Sequence, residues 1–515
     1  MQTFDSIQNI NLLISHRATY GTSRTINDIL LGPVCRDLLC LLSVLSFAND
    51  EEKRFRTWSQ SSLPVARKQT DNPKNNECIV FGRLQIFECW KQLLVRAGTL
   101  QVAKQNRTEL ASVLHELFAK INDQKNEGDH HQFLAKSSIQ FARDDYVYKL
   151  YRAQKVFLDG AHVAPHVAAF EKKNGFTVKM YLHVIFAIII RCHSMRQVTS
   201  FDPENIDKWL IDLNHVSSDL KIDLSTLKRI LSELSFTVDD VSSDEKDYYS
   251  FQLFRNRPFL QLSDTCFLPI EGRLVEELLF DNLLHRLHQA AGIGMQFYAD
   301  FGHDFEFYAQ GLIEKFCSAS NGISYEYISE FKFGKSNSLS PDAMVRCEAN
   351  KTVVAFEVKA ARYLDSILAS EDTPQVVADS FEKLRFKPWK QVYGAIERIV
   401  GEGRHDRLTE GLRYLFVAVT MNEIPHSLQD YKIKIHGVDR SHCFYSFGIH
   451  SLELLLIAAS ASKKYSLYDI LCNAFHFRHK ISNRTTFIRF WRREKGESEF
   501  DKQIRAEAIN RVSLL

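Results

Sequence analysis

Apolar residues in the first 295 positions of the chain recur mostly at spacings of three and four. The segments ELASVLHELFAKI and LSTLKRILSEL show this spacing, which is typical of helices with one buried face. A strand-like stretch at 257–272 precedes a last helix near 273–291. The pattern therefore predicts a large, mainly α-helical N-terminal region over residues 1–295, interrupted by a short β segment.

The pattern changes after residue 295. A helix is expected from Asp304, as its N-cap, to just before Gly322. Three strand-like runs follow, at 325–333, 341–348 and 352–360, and then a helix with Pro388 in its first turn. A buried strand at 412–421 and a strand that leads into a helix at 443–459 complete the series. This order predicts a compact α/β domain over residues 296–455, followed by a helical extension over residues 456–515.

Composition excludes few functions. The chain has 515 residues, enough for two or three domains, and its 65 Lys and Arg nearly balance its 63 Asp and Glu. An anion-binding surface would therefore need local clustering of basic residues. The ten cysteines form no Cys-x-x-Cys pair, which favours reduced thiols. No signal sequence is visible, and the runs LLCLLSVLSFA and MYLHVIFAIII are shorter than the ~20 residues of a membrane span. We expect a cytoplasmic protein without a membrane segment.

Charged residues interrupt the otherwise apolar strand at 352–360. Side chains alternate along a strand, so Glu357 and Lys359 share one face, with backbones about 7 Å apart. The sequence EANK before this strand is suited to a turn, so that strand 341–348 can pair back against it. Such a hairpin brings Asp342 towards the level of Glu357 and Lys359.

This combination of residues suits phosphodiester hydrolysis. Two converging carboxylates can hold Mg²⁺ or Mn²⁺, which prefer oxygen ligands. A neighbouring lysine can position the attacking water or stabilise negative charge on the phosphate. On a helical wheel, Glu306 falls at the border of the apolar stripe of the preceding helix, whereas Glu314 points to solvent. Glu306 is therefore the better candidate for a third acidic ligand.

Pro341-Asp342, followed after 14 residues by Glu357-Val358-Lys359, resembles the motif of the PD-(D/E)XK nuclease superfamily. The resemblance covers residues 296–455. It implies a restriction-endonuclease-like core, a mixed sheet flanked by helices, with Asp342 and Glu357 as ligands of Mg²⁺ or Mn²⁺ and Lys359 as the catalytic lysine. It also makes Glu306 the acid of the first helix, and it aligns Gln391 with a helix glutamine found in some branches.

Each of these residues also has a structural interpretation. Acidic and basic residues on strands are commonly solvated surface groups. Glu306 could be an acid placed near a helix start, where the macrodipole favours negative charge. Gln391 lies off the apolar face of its helix and could be an ordinary exposed residue.

A second candidate site lies in the C-terminal extension. Residues 470–493 are rich in basic and aromatic side chains, a combination that suits phosphate contact and base stacking. The alternative is an amphipathic helix whose aromatic residues pack on the core. The candidate nucleic-acid-binding residues are Arg478, Lys480, Arg484, Arg489, Trp491, Arg492 and Arg493.

The resemblance implies a metal-dependent nuclease that acts on DNA or RNA. By analogy with large members of the superfamily, it suggests restriction or anti-phage defence, with residues 1–295 for recognition or regulation, possible activating or inhibiting protein partners, and no membrane. A ribonuclease that cuts tRNA on infection, and a catalytically inactive nucleic-acid-binding module with a nuclease fold, remain alternatives.

Overall fold

The protein is described from a computed structural model. The described residues are 16–20, 24–30, 35–47, 83–97, 107–123, 145–199, 208–241, 251–292, 294–320, 322–361, 379, 381–423, 431–478, 483–494 and 498–513. The cysteines within these ranges are all free thiols. That finding agrees with the reduced state expected from their scattered positions.

Helices dominate both ends of the described chain. In chain order they are α1 (His16–Tyr20), α2 (Ile26–Ile29), α3 (Arg36–Ser46), α4 (Arg83–Val95), α5 (Arg107–Asp123), α6 (Tyr146–Ala153), α7 (Ala164–Asn174), α8 (Val178–Thr199), α9 (Leu213–Leu220), α10 (Leu224–Glu233), α11 (Gln252–Asn256), α12 (Gly272–Glu277), α13 (Asp281–Ala290), α14 (Met295–Ala319), α15 (Lys387–Gly401), α16 (Ile449–Ala461), α17 (Leu467–Phe477), α18 (Asn483–Glu494) and α19 (Glu499–Ser513). Two π-helical turns, Gln154–Leu158 and Glu382–Phe386, follow α6 and precede α15. Two 3₁₀ turns span Val238–Asp240 and Ser441–Cys443.

The strands lie in the middle and C-terminal parts of the chain. They are β1 (Ile211–Asp212), β2 (Ser235–Phe236), β3 (Phe259–Gln261), β4 (Cys266–Pro269), β5 (Glu326–Ser329), β6 (Lys332–Phe333), β7 (Ser338–Leu339), β8 (Ala343–Cys347), β9 (Thr352–Lys359), β10 (Arg413–Thr420), β11 (Lys434–Ile435), β12 (Val438–Asp439) and β13 (Phe444–Gly448). The protein is therefore of mixed α/β class.

The chain divides into two compact units. The first comprises Met1–Asp129 and Asn174–Leu283, and the second comprises His130–Lys173 and Leu284–Leu515. Helix α6 and the π-helical turn after it thus belong to the same unit as the α/β domain. Hydrophobic spacing does not reveal this, because it reports which face of a helix is buried and not which partner covers that face.

The first unit is mainly helical, as the hydrophobic pattern predicts. It also contains a four-stranded sheet in the order β1-β4-β3-β2. The buried indole of Trp209 donates a hydrogen bond to Ser43 Oγ over 2.8 Å, which joins the sheet region to α3. Within α8, the stretch Val178–Met195 is long and apolar enough to cross a membrane by length and composition, and half of it is buried. A buried core helix has the same composition.

The second unit is built on a mixed five-stranded sheet in the order β13-β10-β9-β8-β5. Strands β9, β10 and β13 are parallel, whereas β8 is antiparallel to both β9 and β5. Helix α15 packs Trp389, Val392 and Ile396 into an apolar cluster with Val353 and Ala355 of β9.

The opposite face of this sheet is also covered. Val354, Phe356 and Val358 alternate with the residues that contact α15, and they are buried as well. Helix α14 contacts β5, β8 and β9, and α16 contacts β10 and β13. Neither helix contributes to the α15 cluster, which places both on the other face. The sheet is thus flanked by helices on its two sides.

The helix that carries Glu306 begins earlier than predicted. Helix α14 starts at Met295 with Gly294 as its N-cap, so the prediction of Asp304 as the N-cap is wrong. Phe297 and Phe301 are buried on the same stripe as Phe305, and this apolar period extends the helix towards its N-terminus. Asp304 lies within the helix, where its carboxylate accepts a hydrogen bond from the backbone N–H of Val163.

Two further segments are divided where the sequence predicted single elements. The helix predicted near 273–291 is split into α12 and α13, and Leu278, Leu279 and Phe280 between them are all fully buried. Three consecutive apolar side chains cannot share one helical face, and the turn allows each to be buried. The strand predicted at 325–333 is likewise split into β5 and β6, and β6 pairs with β7 outside the main sheet. Pro388 does lie in the first turn of α15, as predicted.

A buried ion pair links three helices of the second unit. Arg152 of α6 lies 2.8 Å from Glu453 of α16, with both side chains 1% exposed. Tyr308 of α14 donates a hydrogen bond to the same carboxylate oxygen over 2.7 Å. Since α14 also carries Glu306, this pair helps to hold the helix in place.

We expect the substitution Arg152→Ala to lower the free energy of unfolding of this unit by about 3–5 kcal/mol, because it leaves Glu453 charged and buried without its main counter-ion. The double substitution Arg152→Met/Glu453→Met should cost clearly less than the single one. Calorimetric melting of the three proteins measures the difference. Equal losses for the single and double variants would show that lost packing, and not the unpaired charge, is responsible.

Candidate active site

The antiparallel pairing of β8 and β9 determines which charged residues meet. Ala343 is paired with Phe356 and Cys347 with Thr352. Continued by one residue, this register puts Asp342 directly opposite Glu357, on the same face of the sheet. The hairpin predicted from the turn at 348–351 is therefore confirmed.

A further carboxylate, which the sequence analysis missed, lies on the neighbouring strand. Ser329 of β5 is paired with Ala343 of β8, so the same extension puts Glu330 opposite Asp342. Glu330 and Asp342 each lie one residue beyond the paired part of their strand, and the Asp342 carboxylate acts on the pKa of both Glu330 and Glu357. The sequence signal was present in YEYISEFKF, but its use required the β5–β8 register, which two segments separated in sequence determine together.

The Lys359 ammonium group lies among the carboxylates. Its Nζ atom is 2.8 Å from Glu357 Oε1, 3.7 Å from Glu306 Oε1 and 4.0 Å from Asp342 Oδ2. The structure therefore brings together four of the five candidate residues. It also confirms that Glu357 and Lys359 point the same way and that Glu306 faces inwards from α14.

The backbone holds Asp342 in position. Its Oδ2 atom accepts a hydrogen bond from the backbone N–H of Val358 over 2.6 Å, and the residue is 7% exposed. Glu357 is 1% exposed, and among the described residues its Oε1 atom has no partner other than Lys359. Lys359 keeps 33% of its side chain exposed. The site thus combines two buried carboxylates with an ammonium group that reaches solvent.

The electrostatics of the site show an excess of negative charge. Burial, together with the nearby Asp342 carboxylate, raises the pKa of Glu357 to about 8 and that of Glu306 to about 7. Burial also raises the pKa of Asp342 against the opposing effects of Lys359 and the Val358 N–H. Burial and Asp342 raise the pKa of Glu330 as well. Although burial would lower the pKa of Lys359, the Glu357 and Asp342 carboxylates raise it. The single positive charge of Lys359 is smaller than the total negative charge that the four carboxyl groups would carry when ionised.

This donor set is chemically suited to a divalent cation. Within the described part of the chain, no three His, Cys, Asp or Glu side chains already stand in a metal-ligating arrangement. Lys359 provides the positive charge at the cluster instead. The raised carboxyl pKa values nevertheless identify groups that additional positive charge would stabilise as carboxylates. Asp342, Glu357 and Glu306 supply the hard oxygen ligands that Mg²⁺ and Mn²⁺ prefer.

The two remaining helix residues are placed as their positions on the helical wheel indicate. Glu314 of α14 is exposed, in agreement with the predicted solvent-facing side of that helix. Gln391 is exposed on α15, and no hydrogen bond to another described residue is formed by its side chain. The structure therefore does not join Gln391 to the carboxylate cluster.

The basic and aromatic residues of the C-terminal extension separate into two groups. Arg478 stacks on Phe475, with 3.7 Å between the guanidinium and the ring centroid, and donates to its carbonyl oxygen. Burial raises the pKa of Glu423 to about 7, and Arg484 is one of the groups that oppose this shift. These two arginines therefore interact within the protein. Lys480 lies outside the described residues.

The other predicted residues of this extension lie further along α18. Arg489, Arg492 and Arg493 are exposed, and Trp491 is half-buried. The structure thus agrees in part with each of the two interpretations of this segment. Its helices are amphipathic, with Phe487 and Phe490 buried, and three arginines remain on the outer surface.

No family model, no curated protein and no solved structure matches the chain. The resemblance to PD-(D/E)XK nucleases rests on the residues of the site and their order along the chain.

Proposed function

We propose that the protein is a metal-dependent nuclease that hydrolyses phosphodiester bonds at the cluster of Asp342, Glu357, Lys359 and Glu306. The observation that carries this proposal is the position of the Lys359 ammonium group, within 4.0 Å of all three carboxylates. Buried carboxylates with raised pKa values beside a lysine are characteristic of sites that bind cations and perform acid–base chemistry.

The residues take different roles in this proposal. Asp342 and Glu357 hold Mg²⁺ or Mn²⁺, with Glu306 as a further ligand. A bound divalent cation polarises the phosphate and lowers the pKa of its coordinated water. Lys359 stabilises the negative charge that develops on the phosphate oxygens.

Three features support a restriction-endonuclease-like core for residues 296–455. The mixed sheet is flanked by helices, the motif occupies an antiparallel hairpin, and the acid of the preceding helix faces it. A role in anti-phage defence or restriction, with residues 1–295 as a recognition or regulatory region, is proposed by analogy alone. A cytoplasmic location is part of the same proposal.

The test is a substrate panel. Purified protein is incubated with plasmid DNA, single-stranded DNA and total tRNA, in Mg²⁺ or Mn²⁺ and in EDTA. Cleavage that requires the metal supports the proposal, and the substrate that is cut separates a deoxyribonuclease from a ribonuclease acting on tRNA. Nucleic-acid binding with metal bound but no cleavage would favour an inactive binding module. Cleavage that persists in EDTA would contradict the proposed mechanism.

A further inference from the structure

A groove of about 640 Å³ lies between α17 and α18. Both helices follow the residues of the carboxylate cluster along the chain. Residues of α17 form one side of it, and residues of α18 form the other. The lining residues are Asn473, Phe477, Thr486, Arg489, Phe490, Arg492 and Arg493. None of them is acidic.

Three arginines dominate the charge of this groove. Arg489, Arg492 and Arg493 are separated by three and four residues, so they lie on one side of α18. All three are exposed, and within the described ranges none forms an ion pair or a side-chain hydrogen bond. Like charges at this spacing repel one another. A bound anion would relieve the repulsion and pair with all three groups.

The aromatic residues provide a surface for stacking. Phe490 is buried against Tyr465, with 5.4 Å between the ring centroids, and forms the floor of the groove. Phe477 is 37% exposed at the edge of the groove. The groove thus combines an accessible ring with a row of cations.

We propose that this groove binds single-stranded nucleic acid, with phosphates on Arg489, Arg492 and Arg493 and a base stacked on Phe477. Positive grooves lined with aromatic rings hold single strands in this way, because an unpaired base exposes its face. Bases in a duplex are stacked on one another and cannot reach Phe477. This inference rests on the proposed nuclease function, for which it names a single strand as the substrate class.

Binding of a labelled thymidine oligonucleotide in EDTA tests the proposal without cleavage. The triple substitution Arg489→Ala/Arg492→Ala/Arg493→Ala should weaken binding and reduce the slope of log K against log salt by about 2, since each phosphate contact on a single strand contributes ~0.7. The matched control is Lys172→Ala/Lys173→Ala/Lys434→Ala, which removes the same charge from exposed positions elsewhere. It should leave the slope unchanged.

The stacking contact is tested separately by Phe477→Ala. This variant should bind the oligonucleotide about 5- to 100-fold more weakly with an unchanged salt slope, because it removes a base contact and no charge. Circular dichroism spectra and melting temperatures check that the variants fold.

Several outcomes would overturn the proposal: equal effects of the arginine and lysine triple variants, equal affinity for duplex DNA, or preferential binding of an acidic peptide. The variant Glu357→Gln should retain oligonucleotide binding. If the arginine variants bind normally while Glu357→Gln loses cleavage, the groove proposal fails and the nuclease proposal stands. If the arginine variants weaken oligonucleotide binding but the wild type shows no metal-dependent cleavage, the groove proposal stands and the nuclease proposal fails.

Discussion

The variant Lys359→Ala is expected to lower the proposed nuclease activity by about 100- to 1,000-fold while Mn²⁺ binding is retained. A positive group that stabilises developing charge in a partly buried site contributes an effect of this size. The proposed ligands are unchanged in this variant and a competing positive charge beside them is removed, so Mn²⁺ affinity should stay the same or increase. The measurement is the single-turnover cleavage rate of the best substrate of the panel, together with Mn²⁺ affinity determined by calorimetry.

The comparison variant is Glu357→Gln, which should lose both cleavage and metal binding. Glutamine keeps the shape of the side chain but removes one of the two buried carboxylates. Its fold is checked by its melting temperature. Cleavage that continues undiminished in both Glu357→Ala and Lys359→Ala would remove this cluster from the catalytic mechanism.

The second large effect concerns pH. Glu357 and Glu306 have pKa values of about 8 and about 7 in the folded protein, above the value of an ordinary carboxyl group. The folded state therefore holds these protons more tightly than the unfolded state, and the metal-free protein is expected to lose stability as pH rises through the folded pKa values. The expected loss is about 1–3 kcal/mol between about pH 6 and pH 8.

Divalent metal should reverse this loss, because it binds the ionised carboxylates of the folded protein. The increase in melting temperature on addition of Mn²⁺ should accordingly be small near pH 6 and largest above the pKa of Glu357, about 8. The substitution Glu357→Gln should flatten the pH dependence of the metal-free protein. A metal effect that is independent of pH, or as large in Glu357→Gln as in the wild type, would show that the metal binds elsewhere.

The site could be predicted in part because β structure has a short repeat. Alternation along 352–360 is a local property, and it was enough to put Glu357 and Lys359 on one face. The turn before this strand limited the position of Asp342 to a few residues. Glu330 could not be assigned in the same way, since its place opposite Asp342 depends on how β5 pairs with β8.

The start of the helix that carries Glu306 could not be predicted from the sequence, for a different reason. Asp304 is a favourable N-cap residue, and only the burial of Phe297 and Phe301 shows that the helix starts before it. The arginines of the C-terminal extension were indistinguishable in sequence. Arg478 stacks on Phe475 whereas Arg492 and Arg493 face a groove, a difference that tertiary packing alone determines.

Mn²⁺ binding is the most direct test of the central claim, because it requires neither the natural substrate nor an activating partner. Calorimetric titration of the wild type, Asp342→Asn and Glu314→Gln compares a proposed ligand with an exposed acid on the helix that carries Glu306. We predict specific Mn²⁺ binding by the wild type and by Glu314→Gln, and its loss in Asp342→Asn. Equal binding by all three proteins, or none by the wild type, would contradict the assignment of this cluster as a metal-dependent active site.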